Sequence, residues 1–191
     1  MKTLSEQKQI MREMIKKEVE QLSTAYCKRA DRGILEHIIT LPEYEKAQTV
    51  FCYVGRSSEI NTIPILEDIL QKGKTLAVPK CIDKGIMIAC KVQCLTQLQP
   101  GKFGIYEPVK ECTLVEPTVI DLGIIPCCAC GKDGRRLGYG GGYYDRYLQR
   151  ADFTKTALCR SMMLQENIPV GEYDVSMDIV ISEQAIHFPH L

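Results

Sequence analysis

The run Gly134-Arg135-Arg136-Leu137-Gly138-Tyr139-Gly140-Gly141-Gly142-Tyr143-Tyr144-Asp145 concentrates ligand-type residues in one short stretch. Gly138, Gly140, Gly141 and Gly142 strip the Cβ atoms from a segment that leads into an expected helix. A backbone of that kind can approach a ligand closely and take φ > 0. Its N–H groups, together with the positive end of the helix, form a cradle for an anion. The flanking Arg135 and Arg136 add cations, and Tyr143, Tyr144 and Asp145 add flat rings and a carboxylate. That set suits a phosphate, a flat ring and a metal ion side by side.

Two common nucleotide motifs do not fit. G-x-G-x-x-G would need glycine where Tyr143 stands, and a P-loop would need Lys followed by Ser or Thr where Tyr143-Tyr144 stands. A glycine-rich hairpin or linker is the plain alternative. The density of Arg, Tyr and Asp around the glycines weighs against it.

Other residues could also carry chemistry. Glu59, in Gly55-Arg56-Ser57-Ser58-Glu59-Ile60-Asn61-Thr62, is a loop carboxylate that either faces solvent or accepts hydrogen bonds from an amino-substituted ring. Asp145 is either a partner of the helix dipole or a magnesium ligand. Asp178 lies in the apolar run 175–181 and needs a partner, which a metal ion would supply. Only three histidines are present and no Gly-x-Ser-x-Gly motif occurs, so histidine-based or serine-nucleophile catalysis is not expected.

The elements that must position these groups follow from periodicity. Residues 3–22 read as an amphipathic helix with a Thr3/Glu6 capping box and an apolar face of Ile10, Met11, Met14, Ile15, Val19 and Leu22. Lys8 and Arg12 share one face of it, ordinarily a solvated stripe. Ser23 caps a second helix that ends before Pro42, with Ala30, Ile34, Leu35, Ile38 and Ile39 on its apolar side. After this arm (1–41) the period changes. Strands are expected at 49–54, at 75–78 (stopped by Pro79), at 86–92, at 118–125, at 155–159 and in 174–182. Helices are expected from Thr62, with Pro64 in the first turn and Gly73 past the end, and at 143–150. This alternation predicts an α/β layered domain with a mostly parallel sheet, carrying ligand loops at the carboxyl ends of its strands. Those loops follow Val54, Val78 and Pro126.

At 191 residues the chain reads as one domain with a helical arm. Its 24 basic residues balance 24 acidic ones, which gives no bulk attraction to nucleic acid or membrane. Residues 1–20 lack the apolar core of a signal peptide, and no run is long enough to span a bilayer. A cytoplasmic protein is therefore expected, with its ten cysteines reduced. Cys127/Cys130 with Cys90/Cys94 could form a zinc site, but the cysteines read more simply as packing residues.

Arg136 to Asp145, preceded by Ile120-Asp121-Leu122 and Pro126, resembles the signature of 5-formyltetrahydrofolate cyclo-ligases. The likeness extends along almost the whole chain. It takes in Lys8-x-x-Met11-Arg12, Tyr53-Val54, Glu59-Ile60-Asn61-Thr62, Gly104-Ile105-Tyr106-Glu107-Pro108, Asp174 and Asp178. One departure is Cys127-Cys128-Ala129-Cys130-Gly131, where the family more often carries small or aliphatic residues and then Phe and Asp. The resemblance implies a fold like the ribose-phosphate isomerase and CoA-transferase group. It also implies an ATP- and Mg²⁺-dependent ring closure in which the formyl oxygen takes the γ-phosphate, the neighbouring folate amine attacks the activated carbon, and phosphate leaves. Carried over by residue, ATP is held by Lys8, Arg12, Arg136, Gly138, Tyr139, Gly140, Gly141, Gly142, Tyr143, Tyr144 and Asp145. The folate is held by Val54, Glu59, Tyr139 and Tyr143. Catalysis falls to Arg136, Tyr143 and Tyr144, and Mg²⁺ to Asp145 and Asp178. A monomer acting on a small folate substrate is expected. A sugar-phosphate isomerase or CoA transferase, or a non-catalytic nucleotide-binding module, remains the alternative.

Overall fold

The computed structural model describes residues 2–101, 104–109 and 112–189. Thr3 and Glu6 form a reciprocal capping box that starts helix α1 (Leu4–Glu20), and the Ser23 hydroxyl accepts the Tyr26 N–H to start α2 (Thr24–Ile39). A short α3 (Pro42–Lys46), with Pro in its first turn, turns the chain into β1 (Thr49–Cys52). Helix α4 (Ile63–Gln71) has Pro64 in its first turn, and Gly73 just beyond its end takes φ +69.

The hairpin of β2 (Thr75–Asp83) and β3 (Ile86–Val92) comes next. Contrary to expectation, β2 does not stop at Pro79. Pairing with β1 ends at Ala77, so that edge no longer requires an N–H donor, and Pro79 sits opposite Ala89 of β3. Three short strands follow: β4 (Leu98–Pro100), β5 (Tyr106–Pro108) and β6 (Thr113–Val115). Then comes β7 (Leu122–Pro126), shorter than the expected 118–125 because Pro117–Val119 forms a 3₁₀ turn. The small hairpin β8 (Ala129–Cys130) and β9 (Arg136–Leu137) feeds the glycine run, which opens into α5 (Tyr143–Leu148). The chain ends with β10 (Thr154–Leu158), β11 (Ile179–Ile181) and β12 (Ile186–His187). Most of the segment 174–182, read as strand, is irregular up to Ile179.

The central sheet has the order β12-β11-β10-β7-β1-β2-β3-β6. Its interior pairs β11/β10, β10/β7, β7/β1 and β1/β2 are parallel, while β12, β3 and β6 join antiparallel at the margins. Strand alternation divides the core into two layers. Val50 and Cys52 pack with Leu76, Leu122 and Ile179 against α2, α3 and α4. Phe51, between them, packs with Ala77, Ile125, Ala157 and Val180 against α1 and α5.

Ile15 is the fully buried residue of α1, with Met11 and Val19 packed partly against the core. Ile10 and Met14, read as core-facing, remain largely exposed. No helix among the described residues is long and apolar enough to cross a membrane. Cys90 on β3 is disulfide-linked to Cys112, which corrects the expectation that all ten cysteines are reduced packing residues. The antiparallel register that sets Cys90 opposite Leu114 brings the two together.

Candidate active site

A cavity of about 590 Å³ opens at the carboxyl ends of the parallel strands. Three segments form its polar end: the glycine run, α1, and the stretch around Asp174.

The glycine run is pinned from outside. Arg12 Nε donates to the Gly138 carbonyl at 2.8 Å, and Arg146 Nη2 donates to the Gly141 carbonyl at 2.5 Å. Gly140 takes φ +99, a conformation that side chains disfavour, and a Cβ there would stand 3.4 Å from the Arg12 guanidinium. Among the described residues, no acceptor takes the N–H groups of Tyr139, Gly140 or Gly141. Unpaired amides beside a cavity are the hallmark of an anion nest.

Arg136 lies beneath them with its side chain only 2% exposed. Its Nη1 donates to the Pro126 carbonyl at 3.1 Å and its Nη2 to Asp145 Oδ1 at 2.6 Å, while the buried Nε has no partner among the described residues. Asp145 receives both its hydrogen bonds, from Arg136 and from the Val175 N–H, on Oδ1. Lys8 forms an ion pair with Asp174, which also accepts the Gly171 N–H at 2.6 Å. Lys8 and Arg12 are thus drawn into the cavity, and the solvated-stripe reading of that helix face does not hold for them.

The other end is apolar, lined by Val54, Pro79, Cys81, Met87 and Ile105, with Glu59 and Glu107 set among them. The loop carrying Glu59 is built tightly. Gly55 approaches Ile60 so closely that a Cβ would fall 2.0 Å from its carbonyl oxygen, and Thr62 Oγ1 bridges the Gly55 N–H and the Tyr53 carbonyl. Arg160, paired with Asp31, donates to the Glu59 carbonyl at 2.8 Å. The Glu59 carboxylate is engaged by Arg56, through its backbone N–H at 2.8 Å, Nε at 3.1 Å and Nη2 at 3.3 Å. The Arg56 guanidinium stacks 4.7 Å over the Tyr139 ring, whose hydroxyl donates to the Cys127 carbonyl. Burial pushes the hydroxyls of Tyr53, Tyr139 and Tyr144 upward, so all three stay protonated at neutral pH. Tyr144 contacts Phe51 edge-on beneath the cavity, and Tyr143 lies under the Arg146 guanidinium.

The structure therefore brings together Lys8, Arg12, Val54, Glu59, Arg136, Gly138, Tyr139, Gly140, Gly141, Gly142, Tyr143, Tyr144 and Asp145. Asp178 is not among them. It sits at the amino ends of β10 and β11, accepting the Lys155 N–H at 2.7 Å, because the parallel register pairs it with the start of β10. The second aspartate of the cavity is Asp174, four residues earlier, in the polar setting Gly171-Glu172-Tyr173-Asp174 rather than an apolar strand. Arg56 and Glu107 are further cavity residues that were not singled out. Arg56 stands three residues before Glu59, and Glu107 belongs to the Gly104-Ile105-Tyr106-Glu107-Pro108 segment of the family likeness, which assigned it no role. No group of three or more His, Cys, Asp or Glu among the described residues is arranged to hold a metal ion.

An α/β sheet with its cavity at the carboxyl strand ends, one end cationic and one apolar, defines the class of α/β enzyme domains. More narrowly, the chain belongs to the 5-formyltetrahydrofolate cyclo-ligase family, whose model matches residues 4–183. It is 27% identical over 184 residues to the 5-formyltetrahydrofolate cyclo-ligase of Haemophilus influenzae, covering 93% of this chain and 98% of that one. The Escherichia coli enzyme of the same name is 28% identical, over 78% of this chain and 85% of its own. Among solved structures, the 5,10-methenyltetrahydrofolate synthetase of Aquifex aeolicus superposes with a TM-score of 0.86 at 29% identity, covering 96% of this chain and 93% of the other.

Proposed function

We propose that the protein closes 5-formyltetrahydrofolate to 5,10-methenyltetrahydrofolate, converting ATP to ADP and phosphate. The observation that carries this reading is the two-ended cavity. Open glycine amides, Arg136, Lys8 and Arg12 suit a triphosphate, and the apolar wall with its carboxylates suits a folate ring.

The formyl oxygen attacks the γ-phosphorus and displaces ADP; the folate amine then attacks the activated formyl carbon, and phosphate departs with the former formyl oxygen and, in the balance, the amine's proton. No side-chain nucleophile is required. Positioning and charge neutralisation supply the catalysis, and fixed donors are the means. Arg136, held between Pro126 and Asp145, presents its charge without having to reorganise. The glycine amides add donors where a Cβ would block approach. Tyr144, protonated and buried, can donate a hydrogen bond and cannot serve as a base.

The donor set fits magnesium, which favours one or two carboxylates together with phosphate oxygens. Asp145, with Oδ2 uncommitted, and Asp174 would hold it, and the ion would neutralise charge on the triphosphate. The same reading takes the protein as a single cytoplasmic domain, active as a monomer.

An absorbance assay for methenyl-folate formation, with and without ATP, tests the proposal. ATP-dependent product with folate-dependent phosphate release is expected. A sugar-phosphate isomerase or CoA transferase would release no phosphate from ATP, and a nucleotide-binding module would form no product.

A further inference from the structure

Glu107 stands in the apolar end of the cavity and is only 8% exposed. It lies on β5, and the short β4–β5 hairpin sets it opposite Gln99. The hairpin leaves room for its carboxylate at Gly101, where a Cβ would fall 2.4 Å from Glu107 Oε2. Ile105, two residues before it, also lines the cavity, as expected for residues on one face of a strand.

Among the described residues, this carboxylate receives a single long hydrogen bond, from the Cys81 N–H at 3.4 Å. No cation among them stands within ion-pair distance. The contrast with Glu59, engaged by three donors of Arg56, is direct. A buried carboxylate with so little compensation is costly, and the cost falls when a ligand brings donors to it.

We propose that Glu107 is a specificity-determining residue that accepts hydrogen bonds from the aminopyrimidine edge of the bound folate. This inference rests on the cyclisation reading above. The 2-amino group and the adjacent ring N–H of that edge present two donors side by side, which two carboxylate oxygens can meet. Pro79, Met87 and Ile105 supply apolar surface for the ring faces, leaving Glu107 to fix the ring's orientation in its plane. Glu107 takes no part in bond making.

Steady-state kinetics on Glu107→Leu and Glu107→Gln, each checked for folding by its melting curve, test the assignment. Glu107→Leu should raise the KM for 5-formyltetrahydrofolate ten- to hundredfold and leave that for ATP within about twofold. Glu107→Gln keeps one acceptor oxygen and should fall between. An analogue lacking the 2-amino group should be at least about tenfold poorer than the natural substrate with the parent, and that preference should shrink in both variants. A folded Glu107→Leu protein with an unchanged folate KM overturns the inference. Should that variant not fold, undiminished discrimination by Glu107→Gln overturns it instead. If the parent itself forms no methenyl product, the proposed function has failed. If the parent turns over normally and only these effects are missing, the assignment of Glu107 alone is wrong.

Discussion

At the amino ends of the parallel strands, Asp121 accepts the N–H groups of Gln48 and Thr49, and Asp178 accepts that of Lys155 with the Lys155 ammonium 3.6 Å away. At the carboxyl ends, among the described residues, Asp145 has both bonds on one oxygen, Glu107 has one long contact, and Arg136 keeps a buried N–H without a partner. The two edges use the same residue types. At one edge the carboxylates accept backbone N–H groups of the strand starts and thereby staple them together. At the other the charged groups line the cavity, where a ligand can add to their hydrogen bonding. What a polar group faces, more than its charge, marks the working edge.

The largest expected effect is at Arg136. Arg136→Ala should lower kcat about 10²- to 10³-fold while changing the folate KM much less, since fixed donors matter most as charge redistributes on the phosphoryl group. A kcat close to that of the parent would make Arg136 a structural cation like those at the opposite edge. Next comes Lys8→Ala, which should raise the KM for ATP about tenfold with the folate KM nearly unchanged, as for the loss of one charge-assisted contact. Equal rises in both constants would instead indicate that helix α1 had come off the domain.

The carboxylates give the sharpest contrast. Asp145→Asn should demand several-fold more magnesium for half-maximal rate. Asp178→Asn should leave the magnesium titration unchanged and cost about 1–2 kcal/mol of stability in a denaturant melt. If the two variants behave alike in the titration, the distinction between the edges collapses.

The smallest effect concerns Glu183. Burial pushes its carboxyl up, but hydrogen bonds from Ser161 and Tyr26 outweigh this and hold it below its ordinary value of 4.5. Its stabilisation is therefore complete above that pH and fades as pH falls through the lowered value. Glu183→Gln should flatten the acid side of a stability–pH curve below about 5 and leave neutral activity intact.

How far the sequence disclosed this arrangement depended on whether the signal was local. The capping box at Thr3, the cap at Ser23, Pro64 in the first turn of α4 and the 86–92 strand were all legible because neighbouring residues decide them. The glycine run was legible as a loop beside a ligand cavity for the same reason, and it lines that cavity. Pro79 misled because its tolerance depends on where the neighbouring strand stops, which no local pattern encodes. Asp178 misled similarly. A carboxylate in an apolar run does need a partner, but parallel register supplies the Lys155 N–H at the far edge, and register is a long-range property. Arg56 and Glu107 acquire meaning only through what lies across the cavity from them.

The docking of α1 has a consequence for synthesis. Arg12 meets Gly138 across 126 positions of chain, and Lys8 meets Asp174 across 166. The first helix leaves the ribosome well ahead of both, so its two cations have no counterpart until Gly138 and then Asp174 have followed. A nascent chain arrested before Asp174 therefore carries Lys8 without the carboxylate that fixes it in the folded protein.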